Sequence, residues 1–278
     1  MLCTTCGTRP AASADGRCSV CAATRFAPPN GLMQPGPAPM AEGLHRLRSP
    51  AGLAKAVVVL LGVVIAVDVV ALVAELSLRG EYANLTTIPG TVLYDAGSTT
   101  HSQLVYQRVT SAQALALLVT AIVFIIWFRR VRLNAEVFDA SLQPMRPGWA
   151  IGAWFIPIGN IWLPRRIAAG IWTASAQTNP DGSWRDASKA PLNLWWTLYL
   201  GSTLVAQVAT RNYEATDFSP ALADSVTLIM AADVLDIAAA VAAIVFVRRL
   251  TRMQGERAAL GMPPSSVPVP APAGVPQA

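Results

Sequence analysis

Four long runs of mainly apolar residues restrict the fold of this chain more than any other feature. They cover 54–76, 111–128, 192–209 and 226–247. Each run holds about 18 to 23 residues, and a helix that crosses a bilayer needs about 20. Hydrophobic residues form 53% of the chain and charged residues 13%, a balance typical of multi-spanning membrane proteins. We therefore predict an all-α integral membrane protein with four transmembrane helices in the lipid bilayer.

The basic residues indicate how these helices are oriented. Cytoplasmic flanks of membrane proteins carry an excess of Lys and Arg. With a cytoplasmic N-terminus, only Arg79, Arg108 and Arg211 would lie outside. We predict a multi-pass protein of the bacterial plasma membrane with both termini in the cytoplasm. The inner flanks would then hold Arg46, Arg48, Lys55, Arg129, Arg130, Arg132, Arg146, Arg165, Arg166, Arg185, Lys189, Arg248, Arg249, Arg252 and Arg257.

The segment 147–178 is apolar, but it is too broken to form a fifth span. Pro157 and Pro164 interrupt it, and Arg165 and Arg166 add two charges. A fifth crossing would also move arginine-rich flanks to the outer face, against the charge rule. We predict a re-entrant or interfacial Trp-rich segment that enters and leaves on the cytoplasmic side, followed by a short amphipathic helix.

All eight tryptophans lie between the end of the second run and the start of the third. Indole rings favour the membrane–water boundary, because their body is apolar and their N–H needs a partner. One interpretation is an aromatic belt on the cytoplasmic side. The other is an aromatic-lined pocket that opens to the cytoplasmic leaflet and holds a lipid or an amphiphile.

The same region contains a characteristic set of residues: Trp149, Trp154, Pro157, Asn160, Trp162, Pro164, Arg165 and Arg166. This pattern resembles the signature of a bacterial, mostly actinobacterial, membrane family known as domain of unknown function 4328. The resemblance covers about residues 50–255. It implies several spans and often a cysteine-bearing or proline-rich cytoplasmic leader, and it implies no established activity.

The four cysteines form two CxxC pairs separated by eleven residues: Cys3, Cys6, Cys18 and Cys21. Two such pairs present four thiolates to a tetrahedral Zn²⁺, so we predict a structural zinc ribbon over 1–25. Three alternatives to a zinc site are weaker. Two disulfides are disfavoured by a cytoplasmic location, and redox-active CxxC pairs normally need a larger fold. An iron–sulfur cluster is the third. The basic residues are scattered without an aromatic platform, so we predict a cytoplasmic protein partner or self-association rather than nucleic acid.

The remaining segments connect or follow the membrane domain, which we place at 51–255. Residues 26–50 are rich in Pro and Gly and predict an extended linker. Residues 256–278 are rich in Pro and predict a disordered tail.

We single out three acids within the predicted spans as candidate functional residues. Asp68 and Asp233 are each about eight residues from the outer end of a run, and Asp236 lies one turn below Asp233. Ionisable groups inside a span are costly and commonly functional, which suggests a path for a proton or cation. The alternative is that each acid holds helices together by hydrogen bonds to Ser, Thr, Gln113, Gln207 or the backbone.

Two classes of function fit these features. The first is a membrane-anchored interaction or sensory module whose zinc ribbon recruits a partner. The second is a small proton- or cation-linked transporter that uses the intramembrane Asp residues. Acids that face a polar cavity would favour the transporter, and widely separated acids would favour the module. The chain has no GxSxG, HExxH or phosphate-binding glycine loop, and His45 and His101 lie on opposite predicted sides, so we predict no enzyme.

Overall fold

The structure is a computed structural model that describes Leu2, Thr4 and residues 47–85, 100–176, 187–215 and 219–260. The chain divides into two units, Met1–Glu42 and Gly43–Ala278. All described residues except the first two belong to the second unit. The predicted zinc ribbon with Cys3, Cys6, Cys18 and Cys21 lies outside the described residues, as do most of the linker and residues 261–278.

The described part of the second unit is helical, as predicted. A single 3₁₀ turn, Gly159–Ile161, precedes the fourth helix. The helices are α1 (Ala51–Leu85), α2 (His101–Phe138), α3 (Trp149–Gly152), α4 (Leu163–Ser175), α5 (Ala190–Glu214) and α6 (Ser219–Leu260). We call the end where α1 stops and α2 begins the outer end, following the predicted orientation, and the opposite end the inner end.

Three helices are long and apolar enough to cross a membrane: Ala51–Ala83, His101–Phe138 and Leu222–Leu260. They contain the first, second and fourth predicted spans, so a multi-pass membrane protein is compatible with the structure. Helix α5 has 25 residues and contains the third predicted span. It does not reach the same apolarity, because Asn, Thr, Ser and Gln interrupt its leucines, and its crossing stays a prediction.

Local signals set where two of these helices begin. A capping box starts α2, since the Oγ1 of Thr100 accepts from the N–H of Gln103 at 3.3 Å and the Oε1 of Gln103 accepts from the N–H of Thr100 at 3.1 Å. Proline occupies the first turn of α4, where its missing N–H costs nothing. Pro164 therefore begins a helix here as well as interrupting the apolar run.

The four long helices pack side by side in the order α2, α1, α6 and α5, with α1 and α6 in contact at the centre. Helix α2 packs on α1, and α5 packs on α6. Helices α2 and α5 also meet through aromatic side chains at two levels. Toward the outer end, the ring centroids of Tyr106 and Tyr213 are 6.2 Å apart. Toward the inner end, those of Phe124 and Trp195 are 5.4 Å apart. Trp154, from the segment between α3 and α4, contacts Phe124 at the inner level. The gap between α2 and α5 is thus bounded at both levels by aromatic rings.

Phe246 of α6 is the centre of an aromatic core near the inner end. Its ring stacks on Trp195 at 4.7 Å and on Trp172 at 5.9 Å, and it meets the edge of Trp127 at 5.9 Å. The indole N–H of Trp127 donates to the Oγ1 of Thr251 at 3.2 Å, so this buried group is satisfied inside the protein.

Four tryptophans lie in the protein core, a position that the interpretation as an aromatic belt does not predict. Packing against α6 and neighbouring helices buries more indole surface than a place at the interface would. Trp149 and Trp162 are 40% and 52% exposed, so these two remain available to a bilayer. The four buried tryptophans are Trp127, Trp172, Trp195 and Trp196.

A buried amide network fixes the inner ends of the helices. Asn134 of α2 donates to the carbonyl of Arg48 at 3.0 Å and to the Oε1 of Gln254 at 3.1 Å. Gln254 of α6 in turn donates to the carbonyl of Val131 at 2.9 Å and to the Oγ of Ser175 at 3.2 Å. The segment before α1 is therefore tied to α2, α4 and α6.

Arg132 is buried at the inner end of α2, although we predicted it as an inner flank residue. It is 1% exposed and donates to the carbonyl of Met145 at 2.5 Å and to Glu136 at 3.2 Å. These bonds hold the loop after α2 against the helix. Arg132 therefore has a structural role in the fold.

Gly170 of α4 allows this loop to approach closely. A Cβ at Gly170 would lie 2.8 Å from the carbonyl oxygen of Leu142 and 3.0 Å from the Cδ of Pro144. We expect Gly170→Ala to displace the loop and to lower the melting temperature of the detergent-purified protein, although Ala favours a helix over Gly by about 1 kcal/mol.

Gly255→Ala is the matched control for this prediction. Nothing lies within 4 Å of a Cβ at Gly255, so this change should leave stability unchanged or raise it. A Gly170→Ala protein that melts at or above the wild-type temperature would contradict the close approach.

Candidate functional site

A cavity of about 640 Å³ lies between α1, α2, α5 and α6, and we call it the polar chamber. Four acids on the two inner helices line it: Asp68 and Glu75 of α1, and Asp233 and Asp236 of α6. Residues seven apart or three apart share a helix face, so both pairs point the same way. The structure thus brings the three predicted acids together and adds a fourth.

Gln113 of α2 joins acids from the two inner helices. Its Nε2 donates to the Oδ1 of Asp68 at 3.1 Å and to the Oδ2 of Asp233 at 3.0 Å. An amide nitrogen carries two hydrogens, so both bonds can form together. One side chain therefore holds the two carboxyl groups at a common point.

Two carboxyl groups in the chamber keep unused hydrogen-bonding capacity. Asp68 is 2% exposed and Glu75 is 1% exposed. The Oδ2 of Asp68 and the Oε2 of Glu75 have no hydrogen-bond partner among the described residues. Because an unpaired buried polar atom is costly, these oxygens favour binding a proton or a hydrogen-bond donor.

Asp236 belongs to the walls of two cavities. Its Oδ1 accepts from the Oγ of Ser202 of α5 at 3.3 Å. It also lines a smaller cavity of about 180 Å³, which we call the aromatic chamber, and Leu117 lines both cavities. The aromatic chamber is further lined by Phe124, Trp154, Trp195 and Tyr199. A carboxyl group thus lies where a polar space adjoins an aromatic one.

A tyrosine cluster lies toward the outer end of the polar chamber. The hydroxyl groups of Tyr82 and Tyr213 are 3.0 Å apart, and the Nε2 of Gln103 donates to the hydroxyl of Tyr82 at 3.3 Å. Tyr106 lines the chamber and contacts the ring of Tyr213. The cluster therefore links α1, α2 and α5 above the acids.

The chamber holds one basic side chain in its described lining, Arg211 of α5, together with Glu214. Both lie in the last turn of α5. Within the described residues, no three His, Cys, Asp or Glu side chains are placed to hold a metal ion.

The motif segment, residues 147–178, connects α2 and α5 at the inner end. Its inward residue Trp154 meets Trp196 of α5 at 6.1 Å between ring centroids, and the Nε1 of Trp196 donates to the carbonyl of Ile161 at 3.2 Å. Arg165 donates to the Oδ1 of Asn193 of α5 at 2.8 Å. Asn160 is half-buried and Pro164 is buried. The outward motif residues are Trp149, Pro157, Trp162, Arg165 and Arg166.

Sequence reasoning missed Glu75. It lies inside the first predicted span, next to the predicted end of the run at residue 76. Its spacing of seven residues from Asp68 was the available signal, because two helical turns place both acids on one face.

The described residues define an all-helical protein with three helices suited to crossing a membrane and an acid-lined chamber between them. The sequence profile of the family described as Domain of unknown function (DUF4328) matches residues 91–252, and the chain belongs to this family. The matched region includes the motif segment, Gln113, Asp233 and Asp236, whereas Asp68 and Glu75 precede it. No curated protein and no solved structure matches the chain.

Proposed function

We propose that the membrane domain is a small proton-linked transporter whose chamber acids carry the coupling proton. One observation carries this proposal: Asp68 and Asp233 both accept a hydrogen bond from the Nε2 of Gln113. The Oε2 of Glu75, which lines the same chamber, has no hydrogen-bond partner among the described residues. Four carboxyl groups in one cavity, whose described lining holds a single basic side chain, cannot all remain ionised at low cost. Proton exchange is the chemistry that this arrangement supports best.

The aromatic contacts at both levels of the row suit alternating access. A carrier needs a central site that is closed toward one side at a time. The tyrosine cluster closes the outer level, and Phe124, Trp154 and Trp195 close the inner level. Movement of α2 relative to α5 would open one level or the other while α1 and α6 stay packed together.

The transporter would have α1, α2, α5 and α6 as four spans of a bacterial plasma membrane, with both termini in the cytoplasm. Ser202 of α5 is 3% exposed and faces the chamber, so the polarity of α5 is compatible with crossing lipid.

The motif segment would enter from the cytoplasmic side, which fits the exposure of Phe155 (71%) and Ile158 (69%). In a variant whose four native cysteines are replaced by Ser, we expect Arg166→Cys to react with an impermeant maleimide from the cytoplasmic side. Labelling from outside would overturn this topology.

Replacement of Asp233 tests the transport proposal. We expect the wild-type protein to carry an uncoupled proton leak without added substrate, so that its proteoliposomes take up protons under an imposed membrane potential, as read by an enclosed pH dye. Asp233→Asn should reduce this uptake to the level of protein-free liposomes, because the amide cannot release a proton at the shared site.

Asp224→Asn is the matched control, since Asp224 is an exposed acid on the same helix and does not line the chamber. It should transport at the wild-type rate. Equal uptake by the Asp233→Asn and wild-type proteins, both verified as folded, would reject the proposal.

A second function, recruitment of a cytoplasmic protein partner through a zinc ribbon, is favoured by the spacing of the two CxxC pairs. We expect metal analysis of the purified full chain to find about one zinc ion for each chain. Cys3→Ser with Cys18→Ser should remove this zinc and the partner while the Asp233-dependent proton uptake continues. Full-length protein without zinc would contradict the ribbon.

A further inference from the structure

We propose that the transported substrate is a lipophilic organic amine in its protonated form. This inference rests on the proposed transport function and names the substrate class of the same cavity. The amine head would bind in the polar chamber, and the apolar body would lie in the aromatic chamber.

The charge of the polar chamber selects a cation. Its described lining contains five acids, Asp68, Glu75, Glu214, Asp233 and Asp236, against one basic residue, Arg211. A cation that leaves water for a membrane interior is stabilised when carboxylates surround it. The four acids on the inner helices would therefore exclude anions and favour positive ligands.

The unpaired carboxylate oxygens select a cation that carries N–H groups. The Oδ2 of Asp68 and the Oε2 of Glu75 are buried acceptors without partners among the described residues. An ammonium group donates up to three hydrogen bonds. A protonated amine could donate to either oxygen, whereas a bare metal cation or a quaternary ammonium would donate no hydrogen bond.

The aromatic chamber selects an apolar body next to the charge. Its volume of about 180 Å³ and its lining by Phe124, Trp154 and Trp195 suit a ring system. Asp236 lines both chambers, so head and body can lie on either side of one carboxyl group. Ring faces also attract a neighbouring cation.

The chambers reach the lipid-facing surface. Leu117 lines both of them and is 45% exposed. A substrate that partitions into the bilayer can therefore approach between α2 and α5. Binding of the protonated amine would displace protons from the acids, so that amine and protons move in opposite directions.

Binding of 1-naphthylmethylamine to the purified full chain tests this proposal. We expect saturable quenching of tryptophan fluorescence together with proton release into weakly buffered solution. Two matched ligands should bind at least about tenfold more weakly, 1-naphthaleneacetate because it is anionic and methylamine because it lacks the ring body. Asp236→Asn should weaken binding about tenfold or more, and Asp224→Asn should leave it unchanged.

A Trp154→Leu variant covers the case in which Asp236→Asn fails to fold. It should weaken naphthylmethylamine binding and leave the weak methylamine binding unchanged. Equal binding of the amine and the acetate would overturn the proposal. Absence of amine binding while Asp233-dependent proton uptake persists would overturn the substrate class alone, and absence of both would overturn the transport function too.

Discussion

Gln113→Leu is expected to abolish proton uptake and to destabilise the membrane domain. The substitution keeps the size of the side chain and removes the amide that donates to both Asp68 and Asp233. Each carboxyl group left without its donor should cost about 1–3 kcal/mol. Thermal unfolding in detergent measures the stability, and the enclosed pH dye measures the uptake.

Gln107→Leu is the control for this prediction. Gln107 lies on the same helix and its side chain is exposed, so the change should leave melting temperature and uptake close to wild type. Wild-type behaviour of Gln113→Leu in both assays would show that the shared amide has no role.

Phe246→Ala should have the largest effect on stability. The ring is fully buried and contacts three tryptophans, Trp127, Trp172 and Trp195. Removal of a buried aromatic side chain costs about 3–5 kcal/mol, because a cavity replaces its contacts. We expect a strong fall in the melting temperature and a loss of near-ultraviolet circular dichroism from the tryptophans.

Val245→Ala provides the comparison, since the neighbouring Val245 is 49% exposed and would face lipid. The fall in melting temperature for Val245→Ala should be less than half the fall for Phe246→Ala. Similar losses for the two variants would mean that the aromatic core is not the centre of the fold.

Helix positions were predictable from the sequence, while helix lengths were not. The apolar run 54–76 lies within α1, yet α1 extends to Leu85. Helix α6 likewise continues past the run 226–247 to Leu260, where Arg252 and Glu256 form an ion pair at 3.5 Å. Hydrophobicity marks the part of a helix suited to lipid, whereas capping and charge pairs decide where the helix ends.

The chemistry of the chamber was only partly predictable. Asp68, Asp233 and Gln113 could each be singled out, because polar residues inside apolar runs are unusual. Their meeting at one nitrogen depends on how α1, α2 and α6 are rotated about their axes. That rotation follows from the packing of all the helices, which a single sequence does not specify.

The tryptophans show the same limit. Their one-sided distribution along the chain fits an interfacial belt as well as a core. Trp172 donates to the carbonyl of Ala187 and Trp196 to that of Ile161, both at 3.2 Å. An indole whose N–H is satisfied inside the protein gains more from packing than from the interface, and this choice appears only once the partner carbonyls are placed.

Infrared spectroscopy of the purified protein tests most directly whether the chamber acids bind a proton. A protonated carboxyl group shows a C=O stretching band that is separate from the carboxylate bands. We predict such a band in the wild-type protein, its loss as the pH is raised, and its strong reduction in a folded Asp68→Asn, Asp233→Asn double variant. A band of unchanged intensity in the double variant, or no band in the wild type at any pH at which it stays folded, would contradict the account.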